Sequence, residues 1–144
     1  MVKSFLHIGI SVIDLEASVK FYSEIMQMDI ERRSKYQGDL ISRIVGVKDA
    51  DLDICVLEKD NLRIELLDYK SDKHKKLIKH PNQDQPGLVH LSFLVDDVDK
   101  EYERIKAYGY EFNSPPMVAR KNGPKITYFK GPDNVVIEIY EKNN

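Results

Sequence analysis

The chain has 144 residues, 42% hydrophobic and 32% charged, enough for one globular domain to bury a core without staples. A net charge of −2 with no basic block argues against nucleic acid or an anionic membrane as a partner. No stretch approaches the roughly 18 apolar residues of a membrane span, and the start, Met1-Val-Lys-Ser-Phe-Leu-His7, lacks a signal-peptide core, so a cytoplasmic protein is expected. Cys55 is the only cysteine, which excludes an internal disulfide and a thiolate cluster. Within Asp53-Ile-Cys-Val-Leu57 it reads as a small buried strand residue rather than a nucleophile.

Residues 5 to 12 alternate: Leu6, Ile8, Ile10 and Val12 share one face, and Phe5, His7, Gly9 and Ser11 the other. Asp14 is a suitable N-cap for a helix in which Leu15, Val19, Tyr22 and Met26 recur at helical spacing up to about Met28. Strands are expected over Ile30 to Arg33, Leu40 to Val47 and Leu52 to Leu57, broken by Gly38 and by Lys48-Asp-Ala-Asp51. The strand Asn61-Leu-Arg-Ile-Glu-Leu-Leu-Asp68 closes this half with Glu65 at its centre. A polar, proline-containing linker over residues 70–86 follows, with a short helix expected over Asp72 to Lys79 and with His74 and His80 as solvated residues.

From Gly87 the pattern restarts. Leu88 to Val95 places Val89, Leu91, Phe93 and Val95 on one face and His90 with Ser92 on the other. Asp96 or Asp97 caps a helix bearing Val98, Tyr102 and Ile105, with Gly109 as its C′ residue. Strands are expected near Tyr110 to Asn113, Met117 to Arg120 and Lys125 to Phe129, and the turn Gly131-Pro-Asp-Asn134 leads into Asn134-Val-Val-Ile-Glu-Ile-Tyr-Glu141. That last strand is apolar on both faces apart from Glu138, whose carboxylate costs several kcal/mol to bury unless something positive meets it.

The halves match in register. His7 and His90 stand 83 residues apart, as do Val12 and Val95, Asp14 and Asp97, and Val19 and Tyr102. Glu65 and Glu138 stand 73 apart, so the second half lacks ten residues somewhere between its helix and its last strand. The expectation is a single α+β domain of two paired βαβββ modules, about 1–69 and 87–144. Each module supplies one histidine on its first strand and one glutamate on its last. Two imidazoles and two carboxylates suit a divalent ion of the Mn, Fe, Co, Ni or Zn series and leave two octahedral positions for water or substrate.

At these residues the chain resembles the vicinal oxygen chelate superfamily, the group of glyoxalase I, methylmalonyl-CoA epimerase, extradiol dioxygenases and bleomycin or fosfomycin resistance proteins. The resemblance rests on His7-Ile-Gly-Ile-Ser-Val-Ile-Asp14 with Phe21-Tyr22, on Ile64-Glu-Leu-Leu67, on His90-Leu-Ser-Phe-Leu-Val-Asp-Asp97 and on Tyr128-Phe-Lys-Gly-Pro-Asp-Asn-Val-Val-Ile-Glu138. It implies modules whose strands form a cupped mixed sheet around a metal, with His7, Glu65, His90 and Glu138 at the ligand positions of the glyoxalase I and epimerase branches. It further implies a homodimer acting on a small-molecule substrate, a thioester or a 2-oxo or 2-hydroxy carbonyl compound. The chemistry implied is removal of a proton alpha to a carbonyl through a metal-stabilised enediolate or enolate, with Glu138 or Glu65 as the base.

Other residues refine this. Asp53 aligns loosely with a further acid of the epimerases, against a reading as a solvent-facing strand residue. Tyr128 either points its hydroxyl into the cup or is a core aromatic with its oxygen at the rim. Glutathione-using glyoxalases of the bacterial type carry an arginine four residues after the first histidine and an asparagine four after the first glutamate; here stand Ser11 and Tyr69. The epimerases usually show a further histidine where this chain has Val89. The basic loop Ala119 to Lys125 is either a phosphate or carboxylate site or a solvated turn. An extradiol dioxygenase, which needs two histidines and one carboxylate, and a metal-free binding protein of the resistance type remain the alternatives.

Overall fold

The computed structural model describes residues 2–70 and 83–143. The chain divides into two compact units, Met1–Leu77 and Ile78–Asn144. Each is built on a mixed four-stranded sheet with helices, the α+β arrangement expected. The expected helix over 72–79, with His74 and His80, lies outside the described residues.

In the first unit the strands are β1 (Ile8–Ser11), β2 (Asp29–Gln37), β3 (Asp51–Lys59) and β4 (Leu62–Tyr69), in the order β1-β4-β3-β2. β1 runs parallel to β4 and the other neighbours are antiparallel. The helix α1 (Leu15–Lys20) starts where Asp14 accepts a hydrogen bond from the Ala17 amide at 3.0 Å, which satisfies one of the donors a helix start leaves unpaired. It runs on through a π turn (Phe21–Ile25), closed by the Met26 amide on the Phe21 carbonyl at 3.1 Å. Its residues Leu15, Val19, Tyr22 and Met26 are all buried, as their spacing required, and the helix packs on β3 and β4. Leu57, Ile64 and Leu66 are buried completely, each removal from water being worth about 1.5–3 kcal/mol.

The span Leu40–Val47, expected as a strand, is a helix, α2 (Asp39–Val45). Ile41 and Val45, one helical turn apart, join Val47 against the buried cluster of Ala50, Leu52, Ile54 and Val56, beside Leu67 and Tyr69 of β4. The helix half-buries Ile41 and Val45 on this cluster and leaves Leu40 and Ile44 exposed on its other side. Gly38 (φ +93°) stands before α2, and Gly46 (φ +70°) closes it in the left-handed conformation that glycine adopts without strain. The Ser42 hydroxyl donates to the Gly38 carbonyl at 2.8 Å and accepts from the Ala50 amide at 2.9 Å, tying α2 to the start of β3.

The second unit repeats the plan with β5 (Leu91–Leu94), β6 (Met117–Val118), β7 (Lys125–Lys130) and β8 (Val136–Glu141), in the order β5-β8-β7-β6. β5 is again parallel to β8, and α3 (Val98–Ala107) packs on β7 and β8. Asp97 caps α3 as Asp14 caps α1, accepting from the Lys100 amide at 3.0 Å. Glu141 is a further acceptor at the helix start, taking the Val98 amide at 2.8 Å, and Gly109 (φ +93°) follows the helix end as expected. Equivalent backbone bonds close both parallel pairs: Val12 to Leu67 and Val95 to Tyr140, each 2.9 Å.

Among the described residues α2 has no counterpart here, since β6 and β7 are joined by residues 119–124 alone. Six residues here stand against thirteen, 38–50, in the first unit, which covers seven of the ten residues by which the second half is shorter. Two expected strands shrink: Met117 to Arg120 becomes the two-residue β6, and Tyr110 to Asn113 contributes only a bridge from Phe112 to Phe129. The first strand of each module starts later than expected, so His7 and His90 stand one residue before β1 and β5 rather than within them.

The cap geometry carries a stability prediction. Asp97→Ala lowers unfolding free energy by about 1 kcal/mol, whereas Asp96→Ala stays within about 0.5 kcal/mol. Urea unfolding of both variants checks this, and equal losses would remove the capping account.

Candidate metal centre

The parallel pairing of each unit's first and last strands builds the same two-residue constellation twice. In the first unit Glu65 lies across from Gly9, two residues beyond His7. In the second, Glu138 lies across from Ser92, two residues beyond His90. Side chains two apart on a strand share a face, so each histidine is brought to the face of its unit's glutamate past a residue too small to intervene. His7 Nε2 lies 3.4 Å from Glu65 Oε2, and His90 Nε2 lies 3.7 Å from Glu138 Oε2.

Both separations exceed the 2.7–3.2 Å of an ordinary N–H···O bond. With bonds of about 2.1 Å, neighbouring ligands of one ion stand about 3.0 Å apart at a right angle and about 3.4 Å at a tetrahedral angle, so the 3.4 Å pair matches and the 3.7 Å pair would close by a few tenths of an ångström around an ion. Imidazole nitrogen with carboxylate oxygen is also a donor set for divalent transition metals. The residues thus fit such an ion as a bidentate half-set in each unit. Among the described residues no ready-made group of three or more His, Cys, Asp or Glu is present, so neither pair is a complete site by itself.

The surroundings of the two glutamates differ. Glu138 is 8% exposed, and among the described residues no lysine or arginine pairs with it. Its Oε1 accepts from the Tyr128 hydroxyl at 2.5 Å, across the antiparallel β7–β8 ladder. Burial, together with that hydrogen bond and the charge of Glu138, pushes the Tyr128 phenol up to about 12, so it donates throughout the physiological range. The Tyr128 ring meets the His90 ring edge to face, with centroids 5.5 Å apart. The Nδ1 atom of His90 is buried without a hydrogen-bond partner among the described residues, which leaves Nε2, facing Glu138, as its directed polar contact. Glu65 is more open. The residue across the β3–β4 ladder from it is Val56, which offers no hydrogen bond, and its Oε1 lies 4.0 Å from Arg32 Nη2.

Asp53 is paired with Lys35 at 3.2 Å and Lys70 at 3.1 Å. Burial raises its carboxyl, but the hydrogen bonds from the two lysines outweigh burial and hold it below the usual range, which makes it a poor proton donor. Cys55 is fully buried and its thiol is pushed up by that burial, as its packing role requires. In the basic loop region Lys125 is engaged with Asp99. Sequence reasoning missed Arg32, which lies on β2 in register with Val56 and hence with Glu65.

Comparison with known proteins agrees with this architecture. The model of the Glyoxalase/Bleomycin resistance protein/Dioxygenase superfamily matches residues 4–139. The protein YwbC of Bacillus subtilis is 26% identical over 99% of this chain and 100% of its own length. A lactoylglutathione lyase of Pseudomonas aeruginosa is 25% identical over 95% of this chain and 81% of its own. Among solved structures, a glyoxalase family protein from Bacillus cereus matches with a TM-score of 0.83 at 22% identity, over 100% of this chain and 99% of that one. The fosfomycin resistance protein FosX of Listeria monocytogenes, in complex with Mn(II) and sulfate, matches at 0.65 and 22% identity over 98% and 93%. With a family match over nearly the whole chain and the same fold in these neighbours, the protein belongs to the Glyoxalase/Bleomycin resistance protein/Dioxygenase superfamily.

Proposed function

We propose that the His7–Glu65 and His90–Glu138 pairs are the two halves of the ligand set for one divalent transition-metal ion, Ni, Co, Mn, Zn or Fe. On this reading the protein is a lyase or isomerase that moves a proton alpha to a carbonyl of a small-molecule substrate, and it works as a homodimer. The observation that carries it is Glu138, a buried carboxylate that faces an imidazole and, among the described residues, meets no lysine or arginine. A lone buried charge is costly, and one set beside a metal-ligating side chain type is tolerable once a cation is present. The duplicate at His7 and Glu65 argues against coincidence. The lactoylglutathione lyase relative supports the lyase class, and the Mn(II) held by the fosfomycin resistance neighbour supports a divalent ion.

When bound, the ion would draw electron density from two adjacent substrate oxygens and make the alpha proton removable near neutral pH. The two glutamates divide the remaining work. Tyr128 ties Oε1 of Glu138, leaving Oε2 to face His90, so Glu138 is the anchored carboxylate. Glu65 has a valine where Glu138 has the tyrosine, and its oxygens are free of short hydrogen bonds among the described residues. It is therefore the carboxylate able to swing, accept the alpha proton on an oxygen and return it.

Protein purified without chelators contains about one transition-metal ion per four-ligand site by elemental analysis; a content below about 0.1 that added metal does not raise contradicts the reading. His90→Ala and Glu138→Gln bind the ion at least about tenfold more weakly and load fully only with excess metal. Glu65→Gln keeps most of it but slows alpha-proton exchange into deuterated water at least about 100-fold, followed by NMR on methylmalonyl-CoA and on 2-hydroxy thioesters. An equal effect of Glu65→Gln and Glu138→Gln on exchange at full metal loading would refute the division of labour.

Tyr128→Phe weakens metal binding about tenfold by freeing Glu138, read by competition with a chromogenic chelator. The same substitution reports on the phenol in the metal-free protein. Folded Tyr128 keeps its proton to about 12 but loses it near 10 when unfolded, so its stabilising contribution is whole below pH 10 and disappears as pH climbs toward 12. In a 295 nm titration the variant lacks the tyrosine that ionises last; an unchanged titration would contradict the buried hydrogen bond.

A further inference from the structure

We propose that Arg32 is a specificity-determining residue that receives an anionic group, a carboxylate or phosphonate, carried by the substrate close to its reacting oxygens. This deepens the proposed function and rests on it for the position of those oxygens.

The β2–β3 ladder carries a defect. Asp29 pairs with Glu58 and Ile30 with Leu57, but the next residue to pair, with Val56, is Arg32. Glu31 is the extra residue of a β-bulge. Val56 in turn pairs with Glu65, and Glu65 with Gly9, so one row across the sheet reads Arg32, Val56, Glu65, Gly9. Without the bulge Glu31 would take the place opposite Val56 and set a second carboxylate in the row of Glu65. The bulge substitutes a guanidinium for it, and bulges commonly re-aim side chains beside functional sites.

The guanidinium placed there is held only loosely among the described residues. Arg33, its neighbour, grips Glu16 through two hydrogen bonds of 2.5 and 3.0 Å. Arg63 holds Glu31 Oε2 at 2.8 Å. Arg32 makes no contact that short: its Nη1 reaches Glu31 Oε1 at 3.3 Å, its Nη2 stands 4.0 Å from Glu65 Oε1, and its side chain is 52% exposed. A planar fork with five donors and, among the described residues, no bidentate partner suits a planar or tetrahedral oxyanion.

Charge bookkeeping gives it a task. Two glutamates cancel the charge of a divalent ion, so the ligand set as a whole attracts no anion. An anionic group on the substrate is left to Arg32.

The test uses the full-length protein, loaded with Mn(II) and assayed for metal content, with two small chelating acids as probes. Glycolate offers a hydroxyl and one carboxylate as neighbouring oxygens; tartronate offers the same pair plus a second carboxylate. Wild type binds tartronate about tenfold or more tighter than glycolate by calorimetry. Arg32→Ala abolishes the preference while leaving glycolate affinity and metal content unchanged, and Arg32→Lys restores part of it as a point charge without the fork. A preference that survives Arg32→Ala, or a loss that falls equally on both acids, overturns the proposal. If the protein takes up no ion, the metal reading fails by itself. The same pair is then titrated into the metal-free protein by NMR: a tartronate preference abolished by Arg32→Ala sustains the anion site, and equal binding of the two acids ends it.

Discussion

The structure turns on one costly act, the burial of a carboxylate at Glu138 in the middle of a strand whose neighbours Ile137 and Ile139 are almost wholly removed from water. Such a group has to be answered locally. Here the answer has two parts: the Tyr128 hydroxyl on one oxygen and the His90 imidazole facing the other. The phenol is a neutral donor and the imidazole stands beyond hydrogen-bond reach, so the carboxylate is oriented rather than neutralised. Orientation without neutralisation is what a metal ligand needs before its ion arrives.

Duplication gives that local chemistry its meaning. Each unit repeats the cap, the helix, the parallel pair and the histidine two residues ahead of the position facing the glutamate. What the copies do not share is equally informative. The second unit puts Tyr128 across from its glutamate; the first puts Val56 there and adds α2 and the Arg32 bulge. One copy thus holds its carboxylate fast, and the other surrounds a freer carboxylate with an apolar cluster and a guanidinium. A proton-transfer site asks for that asymmetry, because the group that anchors and the group that moves have opposite requirements.

Much of this was legible in the residues. Asp14 and Asp97, separated by the same interval as the two histidines, marked both helix starts, and the acidic residue amid Val135 to Tyr140 announced itself by being out of place. What escaped did so for physical reasons. Leu40-Ile-Ser-Arg-Ile-Val45 is short enough that alternation and helical periodicity both fit it, and only the two flanking glycines and the cluster it covers decide for the helix. Arg32 escaped because β2 is exposed along nearly its whole length, so no burial alternation exists to reveal where the register slips. Asp53 was a candidate acid by alignment, but Lys35 and Lys70 converge on it from the neighbouring strand and from just beyond β4, contacts no linear pattern encodes.

The account stands or falls on both imidazoles meeting the same ion. Electron spin-echo envelope modulation of the Mn(II)-loaded protein counts the nitrogens bonded to the metal. Two equivalent imidazole nitrogens are expected in the wild type, falling to one in His7→Ala and to one in His90→Ala. A spectrum without nitrogen coupling, or one that either substitution leaves unchanged, would contradict it.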